Sequence, residues 1–166
     1  MRIMGVDPGT LISGYGVIDN LRNEMTLVTY GAIVCKTHSP MGERLLKIYQ
    51  ELRRVMLEYR PAAMAIETPF VGDNVKSALA VGKAQAIALL VAAEQDIPCY
   101  EYSPASVKQN VSDFGASNKE QMQKMVKLLL NLDDLPEPYD AADALAVAIC
   151  HIRESHLFEF IDENAV

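Results

Sequence analysis

The sequence lacks most of the features that identify a secreted, membrane or zinc protein. Its 166 residues include no tryptophan, and aromatic residues make up only 7%. The three cysteines are scattered without a CxxC pair, so we expect reduced, buried thiols rather than disulfides or a zinc site. No apolar run approaches the length of a membrane span, and no signal peptide is evident at the N-terminus. These absences predict a cytoplasmic protein with one hydrophobic core.

Positive charge is also scarce, since the formal net charge is −7. The deficit is local: residues 1–130 carry 14 Lys and Arg against 13 Asp and Glu, whereas residues 131–166 carry one Arg against nine acids. The first segment therefore has a net charge of +1 and the second of −8. This distribution permits nucleic-acid binding by the first segment without demanding it.

What the chain does contain is a set of carboxylates in apolar surroundings. Asp7 ends an apolar run and is followed by Pro-Gly-Thr, and Glu67 ends a second apolar run. Asp140 and Asp143 open an alanine-rich stretch that is typical of a buried helix, where their spacing puts them on one face. His151 lies eight residues beyond Asp143 on the same predicted helix, and we expect it to be a surface or C-terminal residue.

Clustered carboxylates need a compensating charge. Two of them about 4 Å apart repel by roughly 4 kcal/mol at an effective dielectric constant near 20. Hard Mg²⁺ prefers carboxylate oxygens, and two such ions can support phosphodiester hydrolysis. Any one of these acids taken alone could equally be a turn residue or a helix cap, but the set together predicts a metal-dependent enzyme.

Apolar periodicity predicts three antiparallel strands, followed by helix, strand, helix, strand and three helices. The predicted elements are strands 2–7, 14–19 and 24–34, helix 40–59, strand 63–67, helix 75–95, strand 98–102, and helices 104–110, 119–130 and 139–160. This order predicts an α/β fold with an RNase H-like mixed five-stranded sheet flanked by helices. We expect the domain to span 1–155, with 156–166 as a frayed acidic tail.

Five motifs in this order closely resemble the RuvC family of bacterial crossover junction endodeoxyribonucleases. They are Gly5-Val6-Asp7-Pro8-Gly9-Thr10 with Gly14-Tyr15-Gly16, Ala65-Ile66-Glu67 with Phe70, Ser77-Ala78-Leu79 through Gly82, Glu101-Tyr102 with Val107-Lys108-Gln109, and Asp140-Ala141-Ala142-Asp143-Ala144-Leu145-Ala146. The first motif alone is weak, whereas the set is specific and covers almost the whole chain.

The resemblance implies a homodimer that nicks opposing strands of a four-way DNA junction symmetrically, leaving 5′-phosphate and 3′-hydroxyl ends. It implies that Asp7, Glu67, Asp140 and Asp143 hold two Mg²⁺ per subunit, with Mn²⁺ as a possible substitute. It also implies that the branch-migration proteins RuvA and RuvB are partners.

The same resemblance suggests residues that contact DNA. Phe70 matches an aromatic residue that stacks on a base, and Lys108 and Lys119 match basic residues near the scissile phosphate or backbone. The weaker candidates for backbone contacts are Lys76, Lys83 and Lys124. Ordinary core packing for Phe70, and a solvated helix face for each lysine, remain alternatives.

Three other functions remain open at this stage. The Asp-Pro-Gly-Thr turn also resembles the first phosphate loop of the actin, Hsp70 and sugar-kinase superfamily, although no second such loop and no Walker-type loop occurs. A catalytically silent module that binds structured nucleic acid is a second alternative. A nuclease that acts on RNA or on RNA–DNA hybrids is the third.

Overall fold

A mixed five-stranded sheet forms the centre of the computed structural model, which describes residues 1–22, 24–69, 74–112 and 118–164. The strands are β1 (Arg2–Asp7), β2 (Ile12–Leu21), β3 (Glu24–Val34), β4 (Ala63–Glu67) and β5 (Cys99–Tyr102). Their order across the sheet is β3-β2-β1-β4-β5. β1, β2 and β3 are antiparallel, whereas β4 runs parallel to β1 and β5 runs parallel to β4. The predicted RNase H-like sheet is confirmed.

Five helices complete the described part of the chain. They are α1 (Met41–Tyr59), α2 (Val75–Glu94), α3 (Pro104–Ser112), α4 (Lys119–Leu129) and α5 (Tyr139–Asn164). α1 ends where Arg60 adopts a left-handed conformation, just before Pro61, which disfavours a further helical turn. α4 begins with a capping box, in which the side chain of Asn118 accepts from the Gln121 amide and the Gln121 side chain accepts from the Asn118 amide.

The two faces of the sheet bury separate hydrophobic cores. Alternate residues of a strand point to opposite faces, so Ile3 packs under α3, α4 and α5 whereas Met4 packs under α1 and α2. The α5 side is lined mainly by small residues of the central strands, such as Ala63 and Ala65. α5 is itself buried around its whole circumference from Ala144 to Cys150, since helices and sheet surround it.

Glycines allow α5 to lie directly on the sheet backbone. A Cβ atom on Gly5 would lie 2.0 Å from the Ala144 carbonyl oxygen, and one on Gly14 would lie 1.8 Å from the Asp140 carbonyl oxygen. Real Cβ atoms do not approach backbone atoms so closely, so any larger residue at either position would push the helix away. The first turns of α5 are therefore held against β1 and β2.

α2 carries large apolar residues on its exposed face as well as on its buried face. By length and composition alone it is the one helix in the described ranges that could cross a membrane, with 22% of its apolar window buried. That is weak evidence, since core helices of soluble proteins also meet the same criterion. Its inner face packs on α1 and the sheet through Ala84, Ala88 and Val91, while Leu79 and Leu90 are exposed.

Besides small shifts in the ends of several other elements, two details differ from the sequence-based expectation. β2 is longer than the predicted 14–19 because it pairs with β3 along its whole length, from Ile12 opposite Val34 to Leu21 opposite Glu24. Cys35 and Cys150 are buried and all three thiols are free, as predicted, but Cys99 is only partly buried because it lies on the edge strand β5. The division of the chain at residue 155 stays a prediction.

Candidate active site

Two of the predicted carboxylates lie at the same end of neighbouring strands. Asp7 ends β1 and Glu67 ends the parallel strand β4. Asp7 follows Gly5 at the spacing of two that keeps side chains on one face, and Glu67 follows Ala65 in the same way. Gly5 and Ala65 both face α5. The two carboxylates therefore project on the face of the sheet that α5 covers, at the end where the parallel strands β1 and β4 finish.

The other two carboxylates are carried to this end of the sheet by α5. Asp140 lies in the first turn of the helix, and Asp143 follows three residues later. Gly14 is the residue of β2 paired with Asp7, and the space above Gly14 is filled by the Asp140 carbonyl group. The contact between Gly14 and Asp140 thus sets the start of α5 beside the end of β1.

A cleft of about 540 Å³ opens at this end of the molecule. Its lining includes three of the four carboxylates, Asp7, Glu67 and Asp143, together with two lysines, Lys108 and Lys119. Asp140 is not part of the lining, yet its charge acts on both Asp7 and Asp143. The fold therefore brings all four predicted acids into one electrostatic environment.

Burial and mutual repulsion raise the pKa values of these acids. The pKa of Asp7 is raised from 3.8 to about 8, mainly by burial and then by the charges of Glu67, Asp143 and Asp140. The pKa of Glu67 is raised from 4.5 to about 7, again by burial first and then by Asp143. Burial also raises the pKa of Asp143, against the opposing effect of Lys119. The cleft thus disfavours carboxylate charge unless a cation is present.

These carboxylates suit a divalent cation without forming a closed shell around one. Within the described ranges, no three His, Cys, Asp or Glu side chains converge closely enough to make a ready-made metal site. The donor set nevertheless consists of hard carboxylate oxygens, which Mg²⁺ prefers. A divalent cation would relieve the repulsion that raises the pKa values of Asp7 and Glu67. The chemistry and the repulsion of these carboxylates therefore fit a bound divalent metal ion.

The predicted basic residues fall into two groups. Lys119 begins α4, and its Nζ lies 3.6 Å from Asp143 Oδ2 while 71% of its side chain is exposed. Lys108 lies on α3 and lines the same cleft. In contrast, Lys76 and Lys83 are exposed residues of α2 that do not line the cleft.

One further basic candidate does not line the cleft. Lys124 lies on α4 beside a separate small pocket that Lys127 also lines. Phe70 lies outside the described residues, so its stacking role stays a prediction.

Sequence reasoning missed two buried polar residues, of which Ser13 lies close to this end of the molecule. Ser13 is fully buried, and its hydroxyl donates to the Gly9 carbonyl group at 2.5 Å and accepts from the Gly9 amide at 3.2 Å, which holds the loop after Asp7. His151 was expected at the surface, and that expectation is wrong, because only 4% of it is exposed. Its place on the apolar face of α5, after the run ending at Cys150, was the available signal.

A mixed sheet of this order, with an acidic cleft where β1 and β4 end, defines a nuclease of the RNase H-like class. The sequence model for "Crossover junction endodeoxyribonuclease RuvC" matches residues 3–151. The chain belongs to the RuvC family and is, by that membership, a Holliday junction resolvase. Nucleases of this family depend on metal ions.

Similar proteins agree with this assignment over nearly the full chain. A crossover junction endodeoxyribonuclease RuvC from Dehalococcoides mccartyi is 53% identical over 164 residues, which is 99% of this chain and 98% of the relative. The structure of Thermus thermophilus RuvC in complex with Holliday junction substrate matches with a TM-score of 0.89 at 31% identity, covering 95% and 96% of the two chains. The yeast mitochondrial resolvase Ydc2, at 13% identity and a TM-score of 0.69 over 96% and 82%, shares the fold.

Proposed function

We propose that this chain cuts four-way DNA junctions by paired, symmetric nicks in opposing strands, leaving 5′-phosphate and 3′-hydroxyl ends, in DNA recombination and repair. The observation that carries the proposal is the cleft in which buried carboxylates and two lysines meet at the end of β1 and β4. The Thermus relative that was solved with a Holliday junction supports the choice of substrate.

The acids of the cleft hold the metal in this proposal. Asp7 would serve both Mg²⁺ ions, Glu67 would serve one, and Asp140 and Asp143 would complete the ligand set, with Mn²⁺ as a possible substitute. Ions held there would supply activation of a water molecule and stabilisation of the leaving oxygen in phosphodiester hydrolysis. The raised pKa values of Asp7 and Glu67 support this role, because carboxylates that repel one another in a desolvated cleft gain most from a divalent cation.

The lysines bind and orient the DNA backbone. Lys108 lines the cleft, and the ammonium group of Lys119 already lies beside a carboxylate at its rim. Positive charge at this position attracts a phosphate group and sets it against the acids, and the partly closed cleft strengthens that attraction by lowering the local dielectric constant. We propose that Lys76 and Lys83, exposed on α2, make weaker contacts with more distant phosphates, and that Phe70 stacks on a base near the junction centre.

The active form is a homodimer in this proposal, since two strands must be cut. Val75, Leu79 and Leu90 of α2 are 57%, 63% and 56% exposed, which is unusual for large apolar residues on one helix. A second copy of the chain packing on α2 would cover them. Leu79→Glu is expected to yield a monomer in sedimentation, whereas Leu128→Glu, at an exposed leucine of α4 on the other face of the sheet, keeps the dimer.

Three further parts of the proposal are the remaining expectations from the sequence and the family. The protein works in the cytoplasm, with RuvA and RuvB as partners on the junction. Its catalytic domain ends near residue 155, so a chain truncated after Ser155 is expected to fold and to cleave. Retained cleavage by that truncated chain, measured beside the full chain, tests the boundary.

Cleavage of a labelled, mobile four-way junction tests the proposed function. The reaction is run with Mg²⁺, with Mn²⁺ and with EDTA, beside a linear duplex and an RNA–DNA hybrid. Asp7→Asn is expected to abolish cleavage while junction binding in EDTA is kept, because one metal ligand is lost and the DNA-binding face is not. Cleavage that persists in EDTA, or that acts mainly on the hybrid, would contradict the proposal.

A further inference from the structure

Tyr102 is fixed to the strand that carries Glu67. In the parallel pairing of β4 and β5, Tyr102 lies opposite Glu67. Its carbonyl oxygen accepts hydrogen bonds from the amide of Thr68 at 2.8 Å and from the Thr68 hydroxyl group at 3.2 Å. The main chain immediately after Glu67 is therefore held by the main chain of Tyr102.

The side chain of the same tyrosine reaches α5. Its hydroxyl group lies 2.7 Å from Nδ1 of His151, across a separation of 49 residues, and both side chains are buried. The two rings meet edge to face, with centroids 5.9 Å apart. His151 lies eight residues beyond Asp143 on α5, which is about 12 Å along the helix axis and roughly 80° around it. One residue thus contacts both the strand end with Glu67 and the helix with Asp143.

The roles of the two groups in this hydrogen bond follow from their surroundings. Burial lowers the pKa of His151, so its ring is neutral at physiological pH. Burial also raises the pKa of the Tyr102 phenol, which keeps its proton. The phenol therefore donates and Nδ1 accepts, which leaves the histidine proton on Nε2.

Other side chains packed between α5 and the strands β4 and β5 include apolar ones such as Ala63, Ala65 and Ala146, beside the ring contact of Tyr100 with His151 and the charge interaction of Asp143 with Glu67. Apolar packing has little directional preference and allows a helix to shift along the sheet by small amounts. A hydrogen bond of good geometry does not, because it weakens steeply when its angle changes. The Tyr102–His151 bond is therefore suited to set the position of α5 relative to the end of β4.

We propose that Tyr102 and His151 are positioning residues for the metal site: their hydrogen bond holds the strand end that carries Glu67 at a set distance from the helix that carries Asp143. This inference rests on the proposed function of those two carboxylates. Neither residue lines the cleft near the acids or touches the DNA in this proposal. They act through the separation of the two carboxylates, on which cation affinity depends.

Tyr102→Phe removes the hydroxyl group and keeps the ring. Loss of a hydrogen bond that orients metal ligands typically weakens metal binding by about 10-fold or more. We expect about a tenfold weaker Mn²⁺ affinity by electron paramagnetic resonance titration of the junction-bound protein. The metal concentration for half-maximal cleavage is expected to rise by a similar factor, with the rate at saturating metal within about threefold of wild type and junction affinity in EDTA unchanged.

Tyr100→Phe is the matched control. The Tyr100 ring also packs on His151, with centroids 4.5 Å apart, but 46% of this residue is exposed and its hydroxyl group makes no hydrogen bond among the described residues. It is expected to keep wild-type metal affinity. His151→Asn, whose amide oxygen takes roughly the place of Nδ1, is expected to keep more of the metal affinity than His151→Leu, which provides the second route if Tyr102→Phe fails to fold.

An unchanged Mn²⁺ affinity in Tyr102→Phe, or the same loss in Tyr100→Phe, would overturn the proposal. A lower cleavage rate that saturating metal does not restore would also overturn it and assign the pair a purely structural role. Failure of the proposed function has a different signature, since it appears as metal-independent cleavage or as full activity of Asp7→Asn. The two ideas are thus tested separately.

Discussion

Replacing Asp7 by asparagine is expected to make the metal-free protein more stable while abolishing cleavage. Asp7 is ionised in the unfolded chain at neutral pH, whereas burial and the neighbouring acids raise its pKa to about 8 in the fold. Folding therefore has to protonate this carboxyl group or accept a repelled charge. The amide of asparagine has nearly the same shape but carries no charge and needs no proton. The free energy of unfolding is therefore expected to be lower for the wild type than for Asp7→Asn.

The size of this effect follows from the shift in pKa. At pH 7 the ordinary value of 3.8 lies just over three units below the pH, and the folded carboxyl group with a pKa of about 8 remains largely protonated. Each unit corresponds to about 1.4 kcal/mol, so the penalty is on the order of 4 kcal/mol. Water that enters the open cleft screens part of the repulsion. We expect a gain of at least about 1 kcal/mol, or roughly 2–4 °C in Tm for a chain of this size.

The stability difference between Asp7→Asn and wild type is expected to depend on pH in a definite direction. A folded-state pKa raised above the unfolded value provides stability that is complete below pH 3.8 and is lost as the pH rises to about 8. The difference in Tm between Asp7→Asn and wild type is therefore expected to be small at pH 4 and to grow up to pH 8 in EDTA. Added Mg²⁺ is expected to stabilise the wild type and to narrow the difference.

Asp19→Asn is a control of opposite sign. Two hydrogen bonds from Arg2, at 2.8 and 2.7 Å, lower the pKa of the Asp19 carboxyl group, with burial opposing them. Its replacement is expected to lower Tm at neutral pH, and this loss is expected to fade as the pH falls through the lowered pKa. A difference for Asp7→Asn that is constant from pH 4 to pH 8, or an Asp7→Asn protein less stable than wild type in EDTA at pH 8, would refute the reasoning.

Other predictions concern helix placement and DNA. Gly14→Ala would put a Cβ atom 1.8 Å from the Asp140 carbonyl oxygen, so we expect a lower Tm and lost junction cleavage; Gly42→Ala, with nothing within 4 Å, is expected to keep both. Equal melting of the two variants would contradict the close approach. Junction affinity is expected to fall steeply with salt in a binding titration, because phosphate contacts release counterions, and a flat response would argue against backbone-dominated binding. Phe70→Ala is expected to slow cleavage more than it weakens binding, and wild-type rates would exclude the stacking role.

The positions of the acids were predictable because their signals are local. An apolar run that ends in a carboxylate is visible in the sequence at Asp7 and at Glu67, and the order of predicted strands makes β1 and β4 neighbours. The spacing of Asp140 and Asp143 sets their common helical face. The fold class followed from the same pattern, and the structure and the similar proteins confirm it.

The contacts that position these acids were not predictable in the same way. Tyr102 and His151 are 49 residues apart, and only the packing of β5 against α5 brings them together. The histidine was wrongly expected at the surface because helical spacing gives its face but not what covers that face, here Tyr100 and Tyr102. The fit of the Asp140 carbonyl over Gly14 likewise depends on how closely a helix approaches a sheet, which one glycine in a strand does not reveal.

The placement of α5 on the glycines of the first two strands has a consequence for synthesis of the protein. Asp7 and Glu67 leave the ribosome early, whereas Asp140 and Asp143 belong to the last helix of the chain. A growing chain without α5 has two of the four candidate metal ligands and an open apolar sheet face over Gly5 and Gly14. Until α5 is added, such a chain lacks Asp140 and Asp143, so we expect it not to cut DNA and to expose apolar surface that favours aggregation.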